Sequence, residues 1–438
     1  MVQARTSVDD GAIASSDARD FSSRSRLGLG VLALILVVSL VIGWLTPGYE
    51  GDINQNKSWA RVLVRNGMHE AYRGSIDYGP LPLYVFAAVG GIYQWTMDPA
   101  WSESAARASR EFTFMMKVPM ILAHVAIAGL LLSTARDPRL GTLVALSYGL
   151  NPATLYDIAH FGQSDTLVGL AALICLLGAR SGLGGFAGVG GALLLISKPQ
   201  GWILLPIAFC ALLWHRSRRQ MLIAGVSGMI TLLAFLGPWV LNGRAHHVWR
   251  YLENLQTHAL SNRVISADAH NLWWIPTLVN GDWVEDSAFV LGPLTYRMLA
   301  TGLALGWLGF CLWSYRYRQH EQLFLVAAAV SFGFFMLMVR AHENHGYLAL
   351  PLLAGALAVC PSRPLARVLV LASIALLMNL MLRDPFLAGP YSSIPDAGQE
   401  APFAIVALQV ANVMLNAATL IMFARILLER RPLRLRRA

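Results

Sequence analysis

Charge is scarce in this chain. Of its 438 residues only 13% are Asp, Glu, Lys or Arg, where a typical soluble domain carries roughly 25%. Hydrophobic residues supply 56%. So few charges cannot cover a surface that faces water throughout, which excludes an ordinary soluble domain. Cysteine is scarce too: Cys175, Cys210, Cys311 and Cys360 lie in separate apolar blocks, with no C-x-x-C pair. Neither a disulfide framework nor a thiolate zinc site is indicated, and packing is the role left to them. No repeat relates the two halves of the chain.

What is present is a series of long apolar runs. Leu27 to Leu45 follows Arg26 without a single charge and approaches the roughly 20 residues that cross a bilayer core. It exceeds the roughly 7–15 apolar residues of a signal peptide, and no small-residue cleavage site follows. A retained first helix is expected. The net charge of +9 would in a soluble protein suggest nucleic acid. Here the basic residues flank apolar segments, so they report topology instead.

Short cytoplasmic loops are enriched in Lys and Arg. Arg24 and Arg26, Arg136 and Arg139, Arg216 to Arg219, Arg316 and Arg318, Arg363 and Arg367, and the tail from Arg425 to Arg437 all face one side if the chain crosses about twelve times. The apolar stretch Leu81 to Trp95 breaks this pattern if it crosses. It is therefore placed outside as an interfacial helix, started by Pro80 and Pro82. The expected fold is all-α, a polytopic transmembrane bundle of about twelve helices with both termini cytoplasmic. Residues 1–25 form a polar tail expected to be disordered. Residues 26–425 form one membrane domain with external loops at 46–110 and 244–293, and 426–438 a basic cytoplasmic tail.

Polar residues gather at the external ends. A charge at bilayer depth costs roughly 2.5–3.5 kcal/mol even on permissive scales, so each needs a reason. Asp52, just after the first helix, reads as a solvated loop carboxylate or as a general base. Asp77 and Tyr78 lie in Asp77-Tyr78-Gly79-Pro80-Leu81-Pro82. Gln163 and Asp165 flank a helix start, where Ser164 and Asp165 suit capping. Lys198 snorkels or holds a phosphate as a point charge, with Gln200 beside it. Arg340 precedes His342-Glu343-Asn344-His345. In that cluster a turn of helix brings His342 and His345 to one face, but the spacing misses H-E-x-x-H. Sugar or phosphate hydrogen bonding is favoured there over a metal or a plain interfacial belt. Trp95, Trp101, Trp202, Trp273, Trp274 and Trp283 are expected mostly as interfacial anchors, one or two of them as sugar-stacking surfaces.

In order, Gly51-Asp52, Asp77-Tyr78-Gly79-Pro80-Leu81, His160-Phe161-Gly162-Gln163-Ser164-Asp165, Lys198-Pro199-Gln200, Asn271-Leu272-Trp273-Trp274 and His342-Glu343-Asn344-His345 resemble the GT-C glycosyltransferases. The pattern is similar to the dolichyl-phosphate-glucose glucosyltransferases of the N-glycan pathway. It is closer to bacterial proteins related to the second mannosyltransferase of the GPI-anchor pathway. Gly79 stands where the family usually has proline, and Asn344-His345 replaces the eukaryotic lysine. The resemblance implies Asp52 as catalytic base, with His342 and Glu343 near the donor. His345, Arg340, Lys198, Gln200, Gln163, Asp165, Asp77 and Tyr78 are the further candidates for donor and substrate binding, Lys198 and Arg340 because a departing phosphate needs nearby cations. It implies an inverting transferase of the plasma (inner) membrane. Such an enzyme moves mannose or glucose from a polyprenyl-phosphate carrier to a lipid-linked or cell-envelope glycan on the external face. No cofactor, metal ligand or nucleic-acid partner is expected. A secondary transporter or lipid flippase is the alternative, although transporters often show internal repeats and midplane charges.

The topology is tested by single-cysteine labelling in a cysteine-free background. A membrane-impermeant reagent applied to intact cells should label position 52 and leave position 217 untouched. Labelling of position 217 from outside overturns the orientation.

Overall fold

The computed structural model describes residues 7–135, 137–261, 263–318, 322–388 and 402–429. The chain is helical almost throughout. α1 (Ser7–Leu45) carries the first apolar run, and α2 (Glu50–Asn66) and α3 (Pro80–Thr96) follow. The short α4 (Glu103–Ala108) leads into the hairpin of α5 (Arg110–Thr134) and α6 (Pro138–Gly149). α7 (Pro152–Leu155) runs on into a π-helical turn over Tyr156–Phe161. Then come α8 (Asp165–Ser181), α9 (Gly184–Leu195), α10 (Leu205–His215) and α11 (Arg218–Leu241). α12 (His247–Ser261) and α13 (Trp274–Asn280) precede an antiparallel hairpin of β1 (Phe289–Leu291) and β2 (Leu294–Thr295), the one departure from the all-α expectation among the described residues. The chain closes with α14 (Tyr296–Arg316), α15 (Leu323–Leu337), α16 (Ala349–Val359), α17 (Arg363–Arg383), α18 (Pro385–Ala388) and α19 (Phe403–Leu428).

Six helices are long and apolar enough to cross a membrane: α1 from Arg26, α5, α11, α14, α17 and α19. The apolar stretches of α9, α10, α15 and α16 are shorter. The 11 residues of α16 rise only roughly 16 Å at 1.5 Å per residue, about half of a hydrocarbon core near 30 Å. The break at Lys198-Pro199 falls where the sequence reads as a turn between two apolar runs, whereas Asn151-Pro152 interrupts the helix without interrupting its apolarity. α15 and α16 are buried on nearly every side, one of the two settings, protein core or membrane, that suit helices apolar all round, and they form the centre of the bundle. α11 instead leaves most of its surface open, with Leu222, Val226, Met229 and Leu233 exposed.

Two local expectations change. α1 begins at Ser7, so helix runs through most of the segment expected to be disordered. Extending an existing helix needs no new nucleus, which composition alone does not register. Trp101, Trp273 and Trp274 are core residues rather than interfacial anchors, exposed by only 2%, 4% and 1%. Trp273 Nε1 donates to the Leu337 carbonyl at 2.9 Å. The basic residues from 430 onward lie outside the described residues, and so does most of the segment from about Asp384 to Pro402, which the sequence leads one to expect as a last external loop.

Without a hydrophobic drive between apolar helices, close packing relies on small residues. At Gly188 of α9 a Cβ would lie 2.0 Å from the Ala224 carbonyl oxygen of α11. Gly79 is a second such place, and it bears on the site. Its N–H donates to the Ser197 carbonyl at 3.0 Å, and Leu81 N–H donates to Ile196 at 2.9 Å. This clips the start of α3 against the turn that carries Lys198. Proline has no N–H to give here, and a Cβ would sit 2.3 Å from both carbonyl oxygens. Gly79→Ala should therefore lower the melting temperature in detergent, at a cost of about 1–3 kcal/mol for overpacking. Gly91→Ala, where a methyl meets open space, should be neutral or stabilising. Equal behaviour of the two variants contradicts the clip.

Candidate functional site

Helix geometry starts the site. Asp52 lies in the first turn of α2, half-buried, and accepts a hydrogen bond from Gln163 Nε2. Gln163 is buried and held by its own N–H, which donates to the Asp157 carbonyl at 3.1 Å. Two residues on, Asp165 opens α8 and is 2% exposed. A carboxylate at that depth needs partners. It accepts from Gln200 Nε2 and from Asn344 Nδ2 at 2.9 Å. Lys198 Nζ stands 3.4 Å from both of its oxygens. Lys198 in turn lies 4.7 Å from the centre of the Tyr78 ring, within cation–π range. Burial pushes the Lys198 ammonium down more strongly than any one neighbour raises it, but Asp165, Tyr78 and Asp52 together hold the group above its ordinary value.

A second group meets this one. The segment from Ile265 to Asp268 pairs with the chain after α15: Ala267 N–H donates to Ala341 at 2.9 Å, and Arg340 N–H to Ile265 at 3.3 Å. Asn379 of α17 ties the two strips together. Its Nδ2 donates to the carbonyls of Asp268 at 3.3 Å and Glu343 at 2.9 Å, and its Oδ1 accepts from His270 N–H at 2.7 Å. Asn412 and Asn416 of α19 hold His270 from the other side, each at 3.0 Å. Asp268 and Arg340 adopt the left-handed backbone region, both at φ 62°. That conformation is uncommon for residues other than glycine, and at about 1–3 kcal/mol each it persists where the surroundings enforce it.

The side chains of these strips form a charge cluster. Arg383, the last residue of α17, places Nε 3.2 Å from Asp268 Oδ2 and its guanidinium 5.8 Å from the Tyr49 ring. Glu343 is 5% exposed. Burial first, and then the Asp52 carboxylate, push its carboxyl up to about 8, against the opposing pull of Arg383. Burial raises Asp268 to about 6 although Arg383 opposes it. Burial, with positive charge from His258, Lys198 and Arg383, lowers His342 to about 4. At neutral pH the site therefore presents ionised Lys198 and Arg383, a neutral Glu343 able to donate, and a neutral His342.

Most of the residues marked in the sequence come together here. Asp52, Gln163, Asp165, Lys198, Gln200, Tyr78 and the His342–His345 segment share one end of the bundle, and the Asp52 charge is felt at Glu343, Lys198, Asp165, Asp77 and Tyr78. Asp77 is buried at the edge, with Oδ2 3.4 Å from His258 Nδ1 of α12. His345 Nδ1 accepts from His342 N–H at 3.2 Å. Arg340 belongs elsewhere. It pairs with Asp286 at 2.6 Å, a carboxylate also bound by Arg297 at 2.6 Å, so its charge is spent on bracing the loop before α14. Arg383, Asp268, His258 and Tyr49 were not marked. Arg383 was findable, because an arginine at the end of α17 away from Arg363 and Arg367 breaks the arginine pattern. Among the described residues no group of three or more His, Cys, Asp or Glu is arranged to hold a metal ion.

The raised Glu343 carboxyl has a signed consequence. Its folded value exceeds its ordinary 4.5. The stability it contributes is full below that value and is lost as pH rises through about 8. Between these limits stability should fall with pH by up to about 1.4 kcal/mol per unit. Glu343→Gln keeps the shape of the neutral acid and should flatten the melting temperature between pH 6 and 8. An unchanged slope in that variant contradicts a neutral Glu343.

No protein-family model matches this chain, and no curated protein matches it.

Proposed function

We propose that this protein is an inverting membrane glycosyltransferase that takes a hexose, mannose or glucose, from a polyprenyl-phosphate carrier. The observation that carries the reading is the convergence of Asp52, Lys198, Arg383 and the His342–His345 segment at one end of apolar helices. In this reading the six long helices and the shorter apolar ones make about twelve crossings, the count that keeps the arginine-rich loops on the cytoplasmic side. α3 lies outside, on α2, and the site faces away from the cytoplasm. The acceptor is a lipid-linked or cell-envelope glycan.

The chemistry asks for a base on one side of the anomeric carbon and positive charge on the other. Asp52 takes the proton of the acceptor hydroxyl as that oxygen bonds to the anomeric carbon. The bond from that carbon to the carrier phosphate oxygen breaks, and its electron pair leaves with the phosphate. Polyprenyl phosphate departs as an anion, so the site supplies cations and donors rather than an acid. Arg383 and Lys198 are the cations. Neutral Glu343, His342 and Asn344 are donors for phosphate or sugar hydroxyls. Gln163 orients Asp52 by its hydrogen bond, a positioning role. Asp165 and Gln200 keep Lys198 in place. Because attack and departure lie on opposite faces, the configuration at the anomeric carbon inverts.

Purified protein, supplied with radiolabelled polyprenyl-phosphate mannose or glucose and an envelope glycolipid extract, should transfer label to the extract. Asp52→Asn keeps the size of the side chain and its contact with Gln163 but cannot accept the proton, so transfer should fall by roughly 10²–10⁴-fold with donor binding retained. Turnover by the Asn variant near that of the native protein removes Asp52 as the base. Absence of transfer from every polyprenyl-phosphate hexose tried removes the reading.

A further inference from the structure

A second concave site lies on the opposite face of α2. Helical residues advance by about 100° each, so Glu50, Ile53 and Asn54 point away from Asp52. With the end of α1 and the α4–α5 junction they line a cavity of about 380 Å³. Its depth in a membrane is fixed by its walls. One wall is the last residue of the α1 span, Leu45, with Pro47 just beyond it, and another is Arg110, the first residue of the α5 span. The cavity thus sits where two spans meet the membrane surface, at headgroup level.

The walls are built rather than incidental. Lys57, buried beneath the α4–α5 junction, donates to the carbonyls of Arg107 at 2.9 Å and Ser109 at 3.0 Å. Arg110 Nε and Nη2 donate to the Trp44 carbonyl at 3.0 and 2.7 Å, and the guanidinium lies 4.7 Å from the Trp44 ring. The Arg107 side chain makes an exposed 3.6 Å contact with Glu103, which is worth little in water. Two guanidinium groups, one carboxylate (Glu50), one amide (Asn54) and an apolar side formed by Leu45 and Pro47 therefore surround the space.

We infer that this cavity binds the headgroup of a membrane aminophospholipid. Arg107 and Arg110 take the phosphodiester, as guanidinium groups do. Glu50 takes the primary ammonium, and the acyl chains run down past Leu45 along the α1 and α5 spans. A headgroup with phosphate alone leaves Glu50 facing an anion. Selection thus favours a zwitterion with a primary amine over an anionic lipid such as phosphatidylglycerol. None of this depends on the sugar-transfer reading.

The full chain, delipidated in detergent, is titrated with phosphatidylethanolamine or phosphatidylglycerol of identical acyl chains, and bound lipid is counted by native mass spectrometry. The native protein should retain phosphatidylethanolamine more strongly. Arg107→Ala should weaken that retention about tenfold, the loss of one charge-assisted hydrogen bond. Glu50→Gln, a change on an exposed residue, should erase the preference between the two lipids. Glycerophosphoethanolamine, a headgroup without acyl chains, should compete at high concentration, and inorganic phosphate should not. Native-level retention by Arg107→Ala overturns the inference. So does equal binding of both lipids by the native protein, or displacement by inorganic phosphate alone.

Discussion

The ion pair between Lys198 and Asp165 sets the terms for the rest of the site. Both residues are nearly out of contact with solvent, and a charge so placed persists only if it is paired and hydrogen-bonded. Asp165 answers by drawing in Gln200 and Asn344 as well, which joins the start of α8, the turn before α10 and the segment before α16. Removing one member of a buried pair typically costs about 3–5 kcal/mol, because the other charge is left unmatched. The pair is thus a poor source of stability but a strong source of register: the helices that carry it have little freedom to slide. Asp52 inherits that order through Gln163, which sits two residues from Asp165 and is itself pinned by the backbone.

A second balance, around Arg383, decides protonation. One guanidinium serves Asp268 directly and acts on Glu343 and Asp52 at longer range. It cannot neutralise three carboxyl groups at once, so the most buried of them, Glu343, takes up a proton. The outcome is a cluster in which positive charge, neutral donors and a half-exposed carboxylate coexist within one apolar frame. Asn379 and Asn416 hold that arrangement by donating to loop carbonyls, of Glu343 and His270, while Asn412 donates to His270 Nδ1 and to the Ala375 carbonyl of α17.

Much of this was legible in the sequence, and the reasons for the gaps are physical. The helical class, the first span and the residues around Asp52, Asp165, Lys198 and Glu343 stood out because a charge beside an apolar run is costly and therefore visible. The turn at Lys198-Pro199 was legible between its two apolar runs, but the break at Asn151-Pro152 was not, since apolar character continues across it. Tryptophans 273 and 274 looked like interface anchors, because sequence position cannot distinguish a membrane rim from a loop folded back into the core. Arg340 and Arg383 exchanged roles for a similar reason. Each is an arginine near a helix end, and only the fold shows that Asp286 claims the first while the second reaches the carboxylate cluster. Asp268 carried no sequence signal at all. Its place depends on a left-handed turn and on contacts with segments more than seventy residues away.

The central claim is that Asp52 and the Lys198–Arg383 cations flank one reaction centre. The most direct measurement is an experimental structure of the protein with a non-hydrolysable polyprenyl-phosphate hexose bound. The account requires the phosphate between Lys198 and Arg383, with the anomeric carbon turned toward Asp52 and room for an acceptor oxygen at about 3–3.5 Å from that carbon. A phosphate bound away from both cations, or a sugar turned away from Asp52, would contradict it.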